Sequence, residues 1–293
     1  MSETNSSRAA RRALERLGLR APRLTTVSGG SICDAWRAET DEGTLFIKVH
    51  GAGPSDMFLT EAAGLTWLAD AGAPVPEVIG ADSESLVLRW LDRSRPDARM
   101  AREFGATLAR LHQTPADGFG VAPPGATHGY IGSAPMPYGR WDAWGPFYAE
   151  ARVLPYAQQA HALGHLTGQD LRVIDRLCDR LIAQDPELTA GAAGPVRVHG
   201  DLWHGNVLWT SRGAFLIDAA AHGGCGFTDL AMLVLFGTPN LGEIVTGYRS
   251  VADLPPSWHQ RLGLHQLFPL LVHAVLFGGG YGPRAAAIAA NHA

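Results

Sequence analysis

Residues 199–206 read His-Gly-Asp-Leu-Trp-His-Gly-Asn, and residues 215–218 read Phe-Leu-Ile-Asp. Asp201 follows a short apolar run that predicts a strand, and Asn206 comes five residues later, where the next strand is expected to begin. Asp218 is expected to close the return strand of a hairpin. The pattern therefore brings two carboxylates and one amide to the same end of a small sheet.

This set of side chains suits phosphoryl transfer. One carboxylate can orient an attacking hydroxyl and accept its proton, and carboxylate and amide oxygens are suitable ligands for Mg²⁺. The spacing of Asp201 and Asn206 equals that of the protein-kinase catalytic loop, and Asp218 fits the later metal-binding Asp of those enzymes. The alternative interpretation is that both aspartates are ordinary turn or cap carboxylates.

The N-terminal third supplies a second group of candidates. Alternating apolar residues over 45–49 predict a strand with Lys48 on its other face, and residues 57–70 predict a helix that carries Glu61. A strand lysine paired with a helix glutamate holds the α- and β-phosphates of ATP in kinase folds. A glycine turn, with Gly29, Gly30 and Ser31, could cover the phosphates, although it is not a Walker A motif.

Composition bounds the other functions. The chain has 293 residues, 46% apolar and 18% charged residues and a formal charge of −4, which indicates a globular protein of about two domains. The acidic balance argues against a nucleic-acid or membrane binder, and no apolar run is long enough to span a bilayer. The odd, widely spaced cysteines Cys33, Cys178 and Cys225 argue against a disulfide framework and favour the cytoplasm. The arginine-rich start predicts a surface helix over 8–18, with a transit peptide as the alternative.

The order of predicted elements gives the fold class. Strands and one long helix are predicted up to residue 91, including a strand over 85–91, and helices dominate the remainder. Residues 113–146 are rich in proline and glycine and predict a long ordered loop or a set of turns. We expect an α+β, two-lobed, protein-kinase-like fold. Its β-rich nucleotide-binding lobe would cover residues 1–91, and its helical catalytic and substrate-binding lobe residues 92–293.

The motifs resemble those of the fructosamine kinase (ketosamine-3-kinase) family, within the larger group of aminoglycoside-phosphotransferase-like kinases. The most specific mark is the run at 199–206 with Trp203. Further matches extend over nearly the whole chain: 29–32, 46–49, 61–65, 108–112, 130–133, Trp144, Phe147, Glu150, Arg152, 229–232, 235–237, 267–278 and Tyr281.

The resemblance implies ATP- and Mg²⁺-dependent phosphorylation of the sugar 3-hydroxyl of ketosamines, which leads to deglycation. It implies ketosamine small molecules or glycated lysines as partners, and we expect a monomer or weak homodimer. By this resemblance, Asp201 is the base, Asn206 and Asp218 are the Mg²⁺ ligands, and Lys48 and Glu61 are the phosphate-holding pair. Arg89 and Leu91 are backbone contacts to adenine, and Trp203 stacks on the substrate. His204 occupies a variable position of the motif and could contact the substrate or face solvent.

Some positions depart from the family pattern. Gly129 replaces an asparagine, residues 136–138 (Met-Pro-Tyr) replace Gln-x-Asn, Ala219 replaces a proline, and residues 226–227 (Gly-Phe) replace Arg-Glu. These losses of polar groups leave open a different acceptor, either an aminoglycoside or a choline-like alcohol. A separate alternative is a pseudokinase that binds nucleotide without turnover.

Other conspicuous residues have plainer interpretations. His199 and Asp229 are expected to be structural, with Asp229 as a cap rather than a ligand. Cys33, just after the glycine turn, could be a redox-sensing thiol but is more simply a small buried residue. His222 and Cys225 have the spacing of two zinc ligands, yet no fourth ligand is evident.

Overall fold

The structure is a computed structural model, and it describes residues 4–28, 33–50, 54–189, 194–254 and 257–293. The predicted phosphate-covering residues Gly29, Gly30 and Ser31 lie outside the described residues.

The N-terminal part of the described chain contains an antiparallel sheet with the strand order β1-β2-β3-β5-β4. Its strands are β1 (Arg23–Val27), β2 (Asp34–Thr40), β3 (Gly43–Val49), β4 (Val78–Ala81) and β5 (Ser85–Arg89). Helices α1 (Asn5–Arg16) and α2 (Met57–Asp70) accompany it. The predicted helix over 8–18 thus begins and ends earlier than expected, and the predicted strand over 85–91 ends at Arg89.

Strand β3 shows how the sequence positions a charge. Leu45, Ile47 and Val49 are buried in one cluster with Ala13 of α1. Since side chains alternate along a strand, Lys48 points to the other face of the sheet. Residues of α2 pack with strand β5 there, in a separate cluster that includes Phe58. The two-residue period therefore directs Lys48 towards α2.

The remaining chain is mainly helical. Its helices are α3 (Ala98–Leu111), α4 (Trp144–Phe147), α5 (Leu154–Ala162), α6 (Gly168–Ile182), α7 (Pro186–Thr189), α8 (Gly226–Leu235), α9 (Leu241–Arg249), α10 (Leu262–Phe277) and α11 (Tyr281–Ala290). A π-helical turn (Tyr148–Val153) joins α4 to α5, and short 3₁₀ turns cover His204–Asn206 and Trp258–Arg261. One large apolar core lies among α4–α6, α10 and α11, and a second lies among α3, α8 and α9.

Three short two-stranded ladders complete the fold: β6 (Gly129–Ile131) with β7 (Ala134–Met136), β8 (Val196–Val198) with β11 (His222–Gly224), and β9 (Val207–Thr210) with β10 (Gly213–Leu216). Asp218 was predicted to close β10 but lies two residues beyond it. Its φ of 57° is left-handed backbone, which a strand cannot continue through.

The segment 113–146 is packed against its surroundings. It contains the β6–β7 hairpin, which the sequence analysis did not predict, besides irregular chain. Phe119 is buried and stacks on Phe147 with ring centroids 5.8 Å apart. The hydroxyl of Tyr130 donates to Asp56 over 2.6 Å, next to the start of α2. These contacts tie the segment both to the helical core and to the N-terminal part of the chain.

Among the described residues, no helix combines the length and the apolar character needed to cross a bilayer. The lobe boundary at residue 91 falls two residues after β5 and stays a prediction.

Candidate active site

The loop between β8 and β9 carries Asp201 and is fixed by a buried carboxylate. Asp229, at 1% exposure, accepts from the backbone N–H of His199 (2.8 Å) and of Gly200 (2.9 Å). The ring of His112 contacts the same carboxylate through Nε2 at 3.1 Å. Gly200 has a φ of 82°, and a Cβ there would lie 2.2 Å from the carbonyl oxygen of Ala220. Asp229 therefore anchors a loop whose course requires glycine, which is the structural role expected for it.

We expect Asp229→Asn to destabilise the protein strongly. Burial opposes ionisation of Asp229, but the His112 ring and the loop N–H groups outweigh it and lower the pKa of the carboxylate. Removal of one charged partner from such a buried set costs about 3 kcal/mol, which corresponds to a Tm lower by roughly 6–10 °C. Thermal unfolding at pH 7 measures the difference.

The pH dependence and a control sharpen this test. Because the folded pKa of Asp229 is lowered, its contribution is complete above the unfolded pKa and is lost as the pH falls. The difference in Tm between wild type and Asp229→Asn should therefore become smaller at acidic pH. Asp179→Asn, at an exposed position of α6, serves as the control. A Tm change no larger than that of the control would contradict the anchoring role.

Asp201 and Asn206 meet as their spacing predicted. The Nδ2 of Asn206 donates to the Asp201 carboxylate oxygen Oδ2 over 2.9 Å and to the Asp201 carbonyl over 2.8 Å. Burial, followed by the nearby charge of Asp218, raises the pKa of Asp201 to about 8. A carboxylate with a pKa near the working pH is well suited to accept a proton from a hydroxyl.

His199 holds the same loop. Its Nδ1 accepts from the backbone N–H of Asp201 over 3.2 Å, so its Nε2 carries the proton and donates to the carbonyl of Ile217 over 2.9 Å. Burial lowers the pKa of His199, which keeps the ring neutral. Both ring nitrogens are thus engaged with backbone groups, in agreement with a structural role.

Lys48 joins the two parts of the site. Its Nζ lies 2.7 Å from Glu61 of α2 and 2.5 Å from Asp218. Burial opposes the charge on Lys48, but the two carboxylates outweigh it and raise the pKa of the ammonium. Burial likewise opposes ionisation of Asp218, whose pKa is nevertheless lowered by Lys48. The ammonium group is thus charged at neutral pH and lies between the N-terminal sheet and the β9–β10 region.

The oxygen atoms of Asn206 and Asp218 fit a magnesium site. The Nδ2 of Asn206 is used in its bonds to Asp201, which leaves Oδ1 for a cation. One oxygen of Asp218 contacts Lys48, and 46% of this side chain is exposed. Mg²⁺ in nucleotide sites is held by one or two protein oxygens together with phosphates and waters. In the part of the chain that the structure describes, no group of three or more His, Cys, Asp or Glu side chains is arranged to hold a metal ion. His222 and Cys225, which have the spacing of two zinc ligands, therefore belong to no such group.

The two predicted adenine contacts, Arg89 and Leu91, differ in which of their backbone groups could bind adenine. The backbone N–H of Arg89 donates to the carbonyl of Glu77 over 2.9 Å, so it is already used within the sheet region. The Arg89 side chain contacts the Glu77 carboxylate (3.1 Å) and the Glu42 carbonyl (2.9 Å). Leu91 lies just after the strand and is buried. For adenine, the carbonyl of Arg89 and the backbone of Leu91 therefore stay candidates, whereas the N–H of Arg89 does not.

Trp203 and His204 lie after Asp201 in the loop between β8 and β9, and Trp203 belongs to an aromatic group. The Trp203 ring lies over Gly205, where an added Cβ would come within 2.3 Å of it, and its centroid is 5.0 Å from the exposed His204 ring. Phe236 packs edge-on against Trp203 at 6.3 Å and contacts His273 of α10 at 4.7 Å. Sequence reasoning did not single out His273, because its position within an apolar helix predicts only packing.

Two of the positions that depart from the family pattern, Gly129 and Tyr138, lie next to each other. A Cβ at Gly129 would lie 2.9 Å from the ring of Tyr138 and 2.4 Å from the carbonyl of Met136. The hydroxyl of Tyr138 donates to the carbonyl of Ala221 over 3.2 Å. Phe227 packs against the ring of His265 at 4.8 Å. A side chain at position 129 would thus require a shift of the backbone at Met136 as well as of the Tyr138 ring, so glycine fits this approach of two chain segments.

The thiol of Cys33 is not activated. Burial raises its pKa to about 11 although the ammonium of Lys48 acts in the opposite direction. A thiol in that state is protonated at neutral pH, and the thiolate is the reactive form. The geometry favours the plainer interpretation of Cys33 as a small, partly buried residue.

Comparisons with known proteins bear on the family and the fold. A family model described as fructosamine kinase matches residues 7–292. The chain is 33% identical to a probable ketoamine kinase of Thermus thermophilus over 278 residues, which covers 92% of this chain and 94% of that protein. It is also similar to a crystal structure named "putative fructosamine-3-kinase" from Thermobifida fusca, with 38% identity, a TM-score of 0.87 and coverage of 99% and 98%. An ADP-bound aminoglycoside phosphotransferase has a TM-score of 0.62 at 13% identity over 98% of each chain, which shows a shared fold. The α+β, protein-kinase-like fold predicted from the sequence is confirmed.

Proposed function

We propose, since the chain belongs to the fructosamine kinase family, that it transfers the γ-phosphoryl group of ATP to the sugar 3-hydroxyl of ketosamines. Its family membership makes it an ATP-dependent phosphotransferase, and the acceptor and the position of transfer are the proposal. The observation that supports the phosphoryl transfer itself is the bridge of Lys48 between Glu61 and Asp218, beside the contact of Asp201 with Asn206.

The proposed chemistry follows from these contacts. Asn206 holds Oδ2 of Asp201, so Oδ1 is the oxygen that would receive the proton of the acceptor hydroxyl. The acceptor oxygen would form a bond to the γ-phosphorus while the bond from that phosphorus to the β,γ-bridging oxygen breaks, and ADP leaves. Lys48, positioned by Glu61, would neutralise phosphate charge. Bound Mg²⁺, held through Asn206 and Asp218, would supply further charge neutralisation on the phosphates.

The acceptor assignment rests on the residues after Asp201. A sugar ring could stack on Trp203, which is only partly buried beside the catalytic loop, while His204 is exposed next to it. We propose that the 3-phosphate product leads to deglycation and that ketosamine small molecules or glycated lysines are the substrates. A cytoplasmic location and a monomer or weak homodimer complete the proposal, and the free cysteines Cys33, Cys178 and Cys225 support a reducing compartment.

An acceptor panel tests the proposal. Coupled ADP release with Mg²⁺-ATP would be measured for fructosamine, ribulosamine and erythrulosamine adducts of lysine, for an aminoglycoside and for choline. We expect a ketosamine to exceed the other acceptors in kcat/KM by about a hundredfold or more, as pockets that hydrogen-bond a substrate discriminate strongly. NMR of the product should place the phosphate on O3.

The same panel decides between the alternatives. Turnover of an aminoglycoside or choline with silence on every ketosamine would overturn the acceptor assignment. The replacement of polar groups around Tyr138 and Phe227 by aromatic rings favours this second candidate. ATP binding without release of ADP for any acceptor would instead indicate a pseudokinase.

A further inference from the structure

Arg152 is a buried positive charge without a carboxylate partner. It lies in the π-helical turn between α4 and α5, and only 1% of the residue is exposed. None of the ion pairs among the described residues includes Arg152. Its guanidinium lies over the rings of Phe147 (4.7 Å) and Phe268 (5.6 Å). Such a charge is costly to bury unless something compensates it.

One edge of the guanidinium lacks hydrogen-bond partners. Nη1 of Arg152 donates to the carbonyls of Pro137 (2.8 Å) and Ala151 (3.0 Å). Within the described ranges, Nε and Nη2 are buried and have no hydrogen-bond partner. The N–H groups of Nε and Nη2 point in parallel from one side of the planar group, so they form a two-pronged donor for a single anion.

A small internal cavity adjoins this arginine. Besides Arg152 and aromatic rings, its lining includes Gly200, His222, Cys225 and Thr228. It has room for about one water-sized ligand. Burial lowers the pKa of Arg152 to about 10, so the side chain is still charged at neutral pH. Burial, together with the charge of Arg152, lowers the pKa of His222 to about 3, so His222 adds no second charge.

We propose that this cavity binds a monovalent anion of halide size, chelated by the Nε–H and Nη2–H groups of Arg152. A carboxylate or phosphate is too large for the space, and a water molecule would satisfy the donors without compensating the charge. The π-helical turn supports a dedicated site, because such turns occur frequently where a side chain is positioned for function. The lining of this cavity includes none of the proposed phosphate-handling or acceptor residues.

The anion would lie directly beneath the catalytic loop. Gly200, which precedes Asp201, and Arg152 both line the cavity. Occupancy would therefore support the floor of the loop and stabilise the folded protein in proportion to the anion concentration. Chloride and bromide should stabilise it, whereas gluconate at the same ionic strength should not.

Anomalous diffraction from crystals of the whole chain grown in sodium bromide tests the site directly. We expect a bromide peak at hydrogen-bonding distance from Nε and Nη2 of Arg152, and no peak there in Arg152→Met. An ordered water on both donors, or an empty cavity, in the wild-type bromide crystal would overturn the proposal. The wild-type crystal alone decides the proposal, and the result does not depend on the identity of the acceptor.

Thermal unfolding in solution provides the second measurement. In mixtures of bromide and gluconate at constant ionic strength, the Tm of the wild type should rise by about 3 °C for each tenfold increase in bromide above the dissociation constant. Arg152→Met should lose this dependence, while Arg212→Met should keep it. Arg212 is the matched control because its guanidinium also stacks on a ring, Phe215 at 5.1 Å, but is exposed. Equal halide dependence in wild type and Arg152→Met would contradict the site.

Discussion

Asp201→Asn is expected to lower kcat about a thousandfold or more while nucleotide binding is kept. The substitution removes the only group proposed to accept the hydroxyl proton, and general-base catalysis of this kind contributes about 10²–10⁴ in rate. The amide can still accept the hydrogen bond from Nδ2 of Asn206, so the loop geometry is preserved. Steady-state ADP release gives kcat, and calorimetric titration with ATP gives the nucleotide affinity.

The same variant should be more stable than the wild type. Burial and the charge of Asp218 raise the pKa of Asp201 to about 8, so folding disfavours the ionised carboxylate. Between the unfolded pKa and about 8, the folded state binds more protons than the unfolded state, and this group makes the protein less stable as the pH rises. In metal-free and nucleotide-free protein, Asp201→Asn should therefore have the higher Tm, by a larger margin at pH 8 than at pH 5.

A loss of activity together with a gain in stability distinguishes a functional group from a structural one. Asp179→Asn, at an exposed position of α6, is the control, and it should change neither kcat nor Tm appreciably. Near-normal turnover in Asp201→Asn would contradict the assignment of Asp201 as the base. A Tm below that of the wild type at pH 8 would show that Asp201 is mainly structural.

The sequence predicted the local parts of this site well, because local spacing determines them. The five-residue interval between Asp201 and Asn206 is spanned by one loop, and their contact follows from it. The alternation along β3 places Lys48 on the face that meets Glu61, thirteen residues further along the chain. Both features rest on periods of secondary structure that the sequence displays directly.

The long-range parts needed the structure. The contact of Lys48 with Asp218 joins residues 170 positions apart, and no local pattern determines that distance. The position of Asp218 beyond β10 depends on a left-handed φ of 57° that a non-glycine residue adopts only in a specific context. Likewise, a match to Arg152 in a family pattern does not reveal that two of its donors are unpartnered. Such properties arise from the packing of several secondary-structure elements, so the sequence of any single element carries no signal of them.

The replacements at Gly129 and Tyr138 illustrate the same limit. In the sequence they read as two independent losses of polar groups. In the structure they occupy the same space, because a Cβ at position 129 would lie 2.9 Å from the tyrosine ring. The two positions are therefore neighbours in the structure, and the backbone carbonyl of Met136, 2.4 Å from the same Cβ, restricts position 129 as well.

Asp218→Asn is expected to lower kcat about a thousandfold and to raise the Mg²⁺ concentration needed for half-maximal activity. Loss of the charge weakens one of the two proposed metal ligands and removes a partner of Lys48, and electrostatic groups of this kind are each worth about 10²–10³ in rate. Asparagine tolerates a left-handed φ better than most residues, so the backbone at position 218 can be kept. Circular dichroism and the Tm verify that the fold is intact.

The magnesium dependence separates this variant from Asp201→Asn. Both should be slow, but only Asp218→Asn should respond to higher Mg²⁺, because only Asp218 is proposed to ligate the cation directly. Lys48 keeps Glu61 as a partner at 2.7 Å in the variant, so the ammonium group stays charged and near the phosphates. A Mg²⁺ requirement equal to that of the wild type would contradict the ligand role of Asp218. If kcat were nonetheless lowered, the effect would have to act through the position of Lys48 instead, and Lys48→Met should then give the same loss.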